Sequence, residues 1–122
     1  MKRFKLMAGL LLIISLNACE KYTIKPPVVV EDISYSADIQ PIFDNNCVGC
    51  HNGTGTADNG LSLDLSQGNS YNDLMAREFI DTASAETSVL YLQMSSSSHS
   101  YYSSSTNRAT VLTWIQQGAK DN

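Results

Sequence analysis

The chain lacks a hydrophobic run long enough to cross a bilayer, and it is poor in basic residues and in cysteine. Its longest apolar run, residues 6–16, falls well short of the roughly 20 residues that a spanning helix needs. The formal net charge of −4 disfavours nucleic-acid binding, which requires clustered cations. No internal repeat is visible, and a length of 122 residues predicts one folded domain.

Residues 1–18 predict a secretory signal. Lys2, Arg3 and Lys5 form a positive start, the apolar run follows, and the small Ala18 comes directly before Cys19. A core helix is the alternative interpretation, but a core helix would not be apolar on every side and end at a cysteine.

The segment Leu16-Asn17-Ala18-Cys19 resembles the bacterial lipobox, in which the cysteine is lipidated and becomes the mature N-terminus. Asn17 departs from the small or aliphatic residue that is usual there. The resemblance implies an extracytoplasmic lipoprotein anchored through Cys19, on the periplasmic side or in the outer membrane, since several acyl chains give stable attachment.

Residues 19–33 predict the lipidated N-terminus and a tether, because Pro26-Pro27 breaks helices. The folded domain is predicted over residues 34–122. Loss of the signal would leave five Lys and Arg against 12 Asp and Glu, a net charge of −7. Such acidity could suit a basic protein partner, or it could only maintain solubility.

Three or four short helices joined by long loops are predicted for this domain. The first spans about residues 36–43, with Ser36 as its N-cap, and Pro41 is tolerable there only near the helix start or at a kink. Further helices are predicted over residues 71–79, 87–94 and 106–117, and Gly118 is the predicted stop of the last one.

The apolar pattern predicts which side chains face inward. Leu61, Leu63 and Leu65 alternate with polar residues, which favours a short strand or an extended run that covers a ligand. The predicted inward-facing helical residues are Leu74, Met75, Val89, Leu90, Leu92, Met94, Val111, Leu112 and Ile115, with Trp114 at the edge of the last helix.

Cys47-Val48-Gly49-Cys50-His51 has the C-x-x-C-H spacing of c-type haem attachment. Two thiols three positions apart reach the two vinyl groups on one edge of a porphyrin and form thioethers. The next residue then supplies the imidazole that binds the iron. Gly49 allows the backbone to pass close to the macrocycle.

Other interpretations of the motif stay open. A redox-active C-x-x-C usually begins a helix after a strand, and no such unit is visible. Half a zinc site would need two more ligands, and only His99, or Cys19 if it is not lipidated, is available. A chance match is the last alternative. If Cys19 carries lipid, no cysteine is left for a structural disulfide elsewhere, which explains the odd number of three.

Residues 34–51, SYSADIQPIFDNNCVGCH, closely resemble the haem segment of class I-like bacterial cytochrome c domains, more narrowly those of membrane-anchored or multidomain proteins. Residues 114–119, WIQQGA, resemble the C-terminal helix of the same group. The resemblance covers about residues 34–119, although only its haem motif is specific. It implies an all-α, cytochrome c-like fold of three to five short helices around one covalently bound haem, with Phe43 and Trp114 near the crossing of the first and last helices.

The second axial iron ligand is where the sequence departs from that family. Such domains usually carry a distal Met in a Met-Pro-Pro-like loop before the last helix, but no Met-Pro occurs after residue 51. His99 lies in the expected loop and is the favoured distal ligand, and Met94 is the alternative. A vacant or weakly held position is a third possibility, and Met75 is a weaker choice because it falls early and on a helix.

The predicted function is single-electron transfer between extracytoplasmic redox partner proteins, since six-coordinate haem iron suits transfer. The sequence contains no paired carboxylate beside a histidine and no nucleophile motif, so no pattern outside the haem ligands predicts catalysis. A five-coordinate haem sensor or peroxidase-like domain is the alternative, and an anchored binding module without haem is a third hypothesis. Tyr101 and Tyr102 either line the haem edge or lie solvated in the serine-rich loop of residues 95–105.

Overall fold

The computed structural model describes residues 32–122, so the predicted signal, the lipobox Cys19 and most of the tether lie outside the described residues. The elements in chain order are a π-helical turn at Tyr35–Ile39, α1 at Gln40–Asn46, α2 at Ser70–Ala76, a 3-10 turn at Ala85–Thr87, α3 at Val89–Ser95 and α4 at Ser105–Gln116. Residues 32–122 hold no β-strand, only one isolated antiparallel bridge. The predicted all-α class is confirmed. Over the same range, no helix has the length and apolarity to cross a membrane.

The first helical segment is longer than predicted and begins earlier. Its N-cap is Ser34 rather than Ser36: the Ser34 hydroxyl accepts a hydrogen bond from the Ala37 amide, and the Asp38 carboxylate accepts one from the Ser34 amide at 2.8 Å. Pro41 lies in the first turn of α1, where the prediction allowed it, because a missing amide hydrogen is tolerated there.

The other helices differ from the predictions mainly at their ends. Ser104, not Thr106, caps α4 by accepting a hydrogen bond from the Asn107 amide at 3.0 Å. Gly118 follows α4 with a φ of +97°, a conformation that glycine adopts without strain, so the predicted stop is confirmed. The predicted strand or extended run over residues 61–65 forms no strand and touches Asn52 through a single bridge at Asp64.

The hydrophobic core lies where the first and last helical segments meet. Tyr35 packs its ring against Trp114 with a centroid distance of 5.3 Å and against Phe43 at 6.4 Å. Trp114 is buried rather than at an edge, and its indole nitrogen donates to the Lys120 carbonyl at 2.9 Å. The fully buried large side chains are Trp114, Phe43, Ile39, Leu74, Ile115 and Val111.

Some residues predicted to face inward are instead exposed. Leu74 is buried in α2, but Met75 is 41% exposed. In α3, Leu90 and Met94 are buried, while Val89 and Leu92 are 39% and 51% exposed. A helix of seven residues presents only a narrow apolar stripe to the core, so alternate apolar residues fall outside it.

Candidate functional site

A cavity of about 590 Å³ opens between α1, the leucine run of residues 61–65 and α3 with the loop that follows it. This volume falls in the range of small-molecule and cofactor sites. Polar side chains contribute part of the wall, and the apolar part is formed by Phe43, Leu61, Leu63, Leu65, Phe79, Val89, Leu90 and Met94. The alternation of Leu61, Leu63 and Leu65 therefore reflects a cavity wall and core packing rather than a sheet, because Leu63 and Leu65 are buried without a strand partner.

The two thiols of the motif lie on the wall of this cavity. The turn that carries them continues from α1, since the Cys47 amide donates to the Phe43 carbonyl at 2.8 Å and the His51 amide donates to the Cys47 carbonyl at 2.9 Å. Both cysteines are free, Cys47 half-buried and Cys50 exposed. A Cβ at Gly49 would meet no protein atom within 4 Å, so Gly49 is not required by protein packing.

Burial, helped by the neighbouring Cys50, raises the pKa of Cys47 to about 11. A reactive redox thiol needs the opposite, a lowered pKa that produces thiolate at neutral pH. The environment of Cys47 therefore argues against Cys47 as the attacking thiol of a thiol-disulfide site.

His51 lies at the edge of the cavity with its side chain 17% exposed. Its Nδ1 faces the Asp58 Oδ2 at 3.4 Å. With Nδ1 directed to the carboxylate, Nε2 is the ring nitrogen left to bind a metal. A carboxylate behind a ligating imidazole is a common arrangement in metal sites.

Asp58 is a site residue that sequence reasoning missed. Its carboxylate accepts hydrogen bonds from the Ser62 amide at 3.2 Å and the Leu63 amide at 3.0 Å, as well as facing His51. Burial opposes ionisation of Asp58, but these amides and the imidazole outweigh it, so its pKa lies below its usual value. No local pattern in the loop of residues 52–60 distinguishes Asp58, because the contact depends on how the loop folds back.

His99 also lines the cavity, and its ring stacks with the ring of His51. The two ring centroids are 6.1 Å apart and the ring planes differ by 20°. An imidazole nitrogen binds a transition metal at about 2 Å and lies about 1 Å from its ring centre, so two rings on opposite sides of one metal stand about 6 Å apart. The spacing of His51 and His99 is therefore compatible with an iron between them.

The loop after α3 fixes the His99 ring through neighbouring hydroxyls. Nδ1 of His99 lies 2.9 Å from the Ser98 Oγ and 3.3 Å from the Ser96 Oγ, which leaves Nε2 as the free ring nitrogen. Ser103 is buried and its hydroxyl donates to the Met94 carbonyl at 2.7 Å. Ser103 therefore joins the end of the loop to α3.

The remaining predicted residues divide between the cavity and the surface. Met94 is buried and lines the cavity, so it combines a core position with access to a ligand. Tyr102 also lines the cavity, although it is 59% exposed, whereas Tyr101 is 90% exposed. Met75 belongs to the exposed face of α2 and not to the cavity wall.

The chain matched no protein-family model, no curated protein and no solved structure. In the part of the chain that the structure describes, no three His, Cys, Asp or Glu side chains converge as a metal-ion site. The interpretation of the cavity therefore rests on the motif and on the geometry of His51, Asp58 and His99.

Proposed function

We propose that the protein is a membrane-anchored c-type cytochrome with a single haem and a cytochrome c-like fold, which transfers single electrons between extracytoplasmic redox partners. The observation that carries the proposal is the pairing of His51, the last residue of the C-x-x-C-H motif, with His99, whose ring centroid lies 6.1 Å from that of His51 in the cavity lining. The lipid anchor at Cys19 and the tether of residues 19–33 remain part of the proposal on the strength of the sequence alone.

The residues around the cavity fit a haem in three respects. Cys47 and Cys50 open onto the cavity from one side and are free to form thioethers. His51 and His99 present one free ring nitrogen each. Phe43, Leu63, Leu65, Phe79 and Leu90 supply the apolar contacts that a macrocycle needs.

Bound haem would supply reversible one-electron chemistry, and the chain would set its reduction potential. Coordination by His51 and His99 would give a lower potential than coordination by His51 and Met94. The 6.1 Å spacing between the rings of His51 and His99 favours His99 as the second iron ligand. Met94 lies within α3, and its backbone carbonyl accepts a hydrogen bond from Ser103.

The test is to produce the protein in cells competent in cytochrome c maturation, beside a C47A/C50A variant as the matched control. We expect the wild-type chain to keep its haem through denaturing electrophoresis, and the variant to lose it because no thioether can form. We further expect a sharp low-spin absorption spectrum on reduction. A wild-type chain without haem would contradict the proposal, and a high-spin spectrum would favour the five-coordinate sensor or peroxidase-like alternative.

A further inference from the structure

We propose that Asp58 is a positioning residue for His51: it orients the imidazole, keeps the proton on Nδ1 and directs Nε2 into the cavity. This inference rests on the proposed haem function. It assigns a role to a residue outside the C-x-x-C-H motif and outside both distal candidates, in a loop whose sequence gives no sign of it.

The Asp58 carboxylate is placed by contacts that do not involve His51. Oδ1 accepts from the Ser62 amide at 3.2 Å and Oδ2 accepts from the Leu63 amide at 3.0 Å. The side chain is only 2% exposed. The acceptor that faces Nδ1 of His51 is therefore preorganised by the backbone, and the imidazole adapts to it.

The loop that presents Asp58 is tied at both ends. The Gly53 amide donates to the Leu63 carbonyl at 3.0 Å, and the Leu65 amide donates to the His51 carbonyl at 2.9 Å. The Arg77 guanidinium donates to the Leu61 and Ser62 carbonyls, both at 3.0 Å. These bonds hold the backbone of His51 and the backbone that anchors Asp58 in one rigid unit, so the ring and the carboxylate keep a fixed relation.

The consequence for an axial imidazole is electronic as well as geometric. A hydrogen bond from Nδ1 to a carboxylate makes Nε2 a stronger electron donor. The stronger donor and the nearby negative charge both favour ferric over ferrous iron. Asp58 should therefore lower the reduction potential relative to the same site with a neutral acceptor.

The test compares Asp58→Asn with Asp81→Asn in the holoprotein. Asp81 is the matched control because its carboxylate also accepts two backbone amides, those of Ala83 at 2.9 Å and Ser84 at 3.2 Å, and it accepts no hydrogen bond from an imidazole. Each substitution removes one negative charge from a carboxylate that accepts backbone amides. We expect D58N to shift the redox equilibrium toward the ferrous form by about tenfold or more, a rise of about 59 mV or more in midpoint potential for one electron. D81N should leave the potential close to that of the wild type.

Equal potentials in D58N and the wild type, or an equal rise in D81N, would overturn the positioning role. If D58N does not fold, the wild-type protein decides the question by NMR of the reduced state. We expect its His51 Nδ1–H to be protected from solvent exchange, and rapid exchange would overturn the inference. A wild-type chain that takes up no covalent haem is a separate outcome, which refutes the proposed function itself.

Discussion

At the scale of single residues, substitutions of His99 and Met94 should affect the absorption spectrum of the proposed haem differently. His99→Ala should convert the low-spin spectrum to a high-spin one and open the iron to carbon monoxide, because the ring that faces His51 is lost. Met94→Leu conserves volume in the core, so it should cost less than about 1.5 kcal/mol of stability and leave the spectrum unchanged. Absorption spectra of the two holoproteins, oxidised and reduced, are the measurement. A low-spin H99A together with an altered M94L would reverse the assignment.

The sequence predicted four residues that the structure brings to one cavity, three from a local motif and one from the loop that the family resemblance points to. Cys47, Cys50 and His51 follow from spacing along the chain, and His99 from its place before the last helix; all four line one cavity. Asp58 could not be predicted, because its contact with His51 depends on a loop that folds back through the amides of residues 62 and 63.

At the scale of helices, Ser70 links α2 to the start of the domain. Its hydroxyl accepts from the Tyr35 hydroxyl at 2.6 Å and donates to the Gln40 side-chain oxygen. Burial raises the pKa of Tyr35 to about 12, so this phenol remains a donor. Ser70→Ala would leave two buried polar groups unsatisfied and should cost about 1–3 kcal/mol of unfolding free energy.

Urea unfolding of Ser70→Ala, with Ser97→Ala as an exposed control, measures that cost. The control should change the unfolding free energy by less than about 0.5 kcal/mol. Equal stability of the two variants would show that the hydrogen-bonded link between Tyr35, Ser70 and Gln40 contributes nothing net.

Helix existence could be predicted, and most helix ends lie within two residues of the prediction, but the ends of α1 and α2 are misplaced by three residues. At both capped ends several hydroxyls adjoin, and the sequence suggested Ser36 and Thr106 where the structure uses Ser34 and Ser104. Which hydroxyl reaches the third following amide depends on the backbone angles just before the helix, and these are set by packing. The strand prediction for the leucine run was wrong for a related reason. Every second residue can be buried without a sheet when those side chains form a cavity wall, as Leu63 and Leu65 do.

At the scale of the whole molecule, the proposed haem would complete the core by filling the cavity. The described domain is small and its helices α1 to α3 have seven residues each, so the protein side chains alone bury a modest apolar area. Each Å² of apolar surface that haem removes from water contributes about 25 cal/mol. We expect the haem-bound chain to be several kcal/mol more stable than the chain without haem, with roughly 4–8 °C in Tm for each kcal/mol.

Thermal unfolding of the protein produced with and without the maturation machinery measures this difference. C47A/C50A, produced with the machinery, is the control and should melt with the haem-free chain. Identical Tm values for the two wild-type preparations would mean that haem in the cavity does not stabilise the fold.

The unequal exposure of the two thiols predicts an order in which they would react with the proposed haem. Cys50 is exposed, whereas Cys47 is half-buried and burial raises its pKa to about 11, which disfavours the thiolate at Cys47. If the proposed haem is bound, its attachment should begin at the exposed Cys50 and end at Cys47. The first bond would tether the macrocycle at the surface, and the second would close only once the ring has entered the cavity beside Phe43.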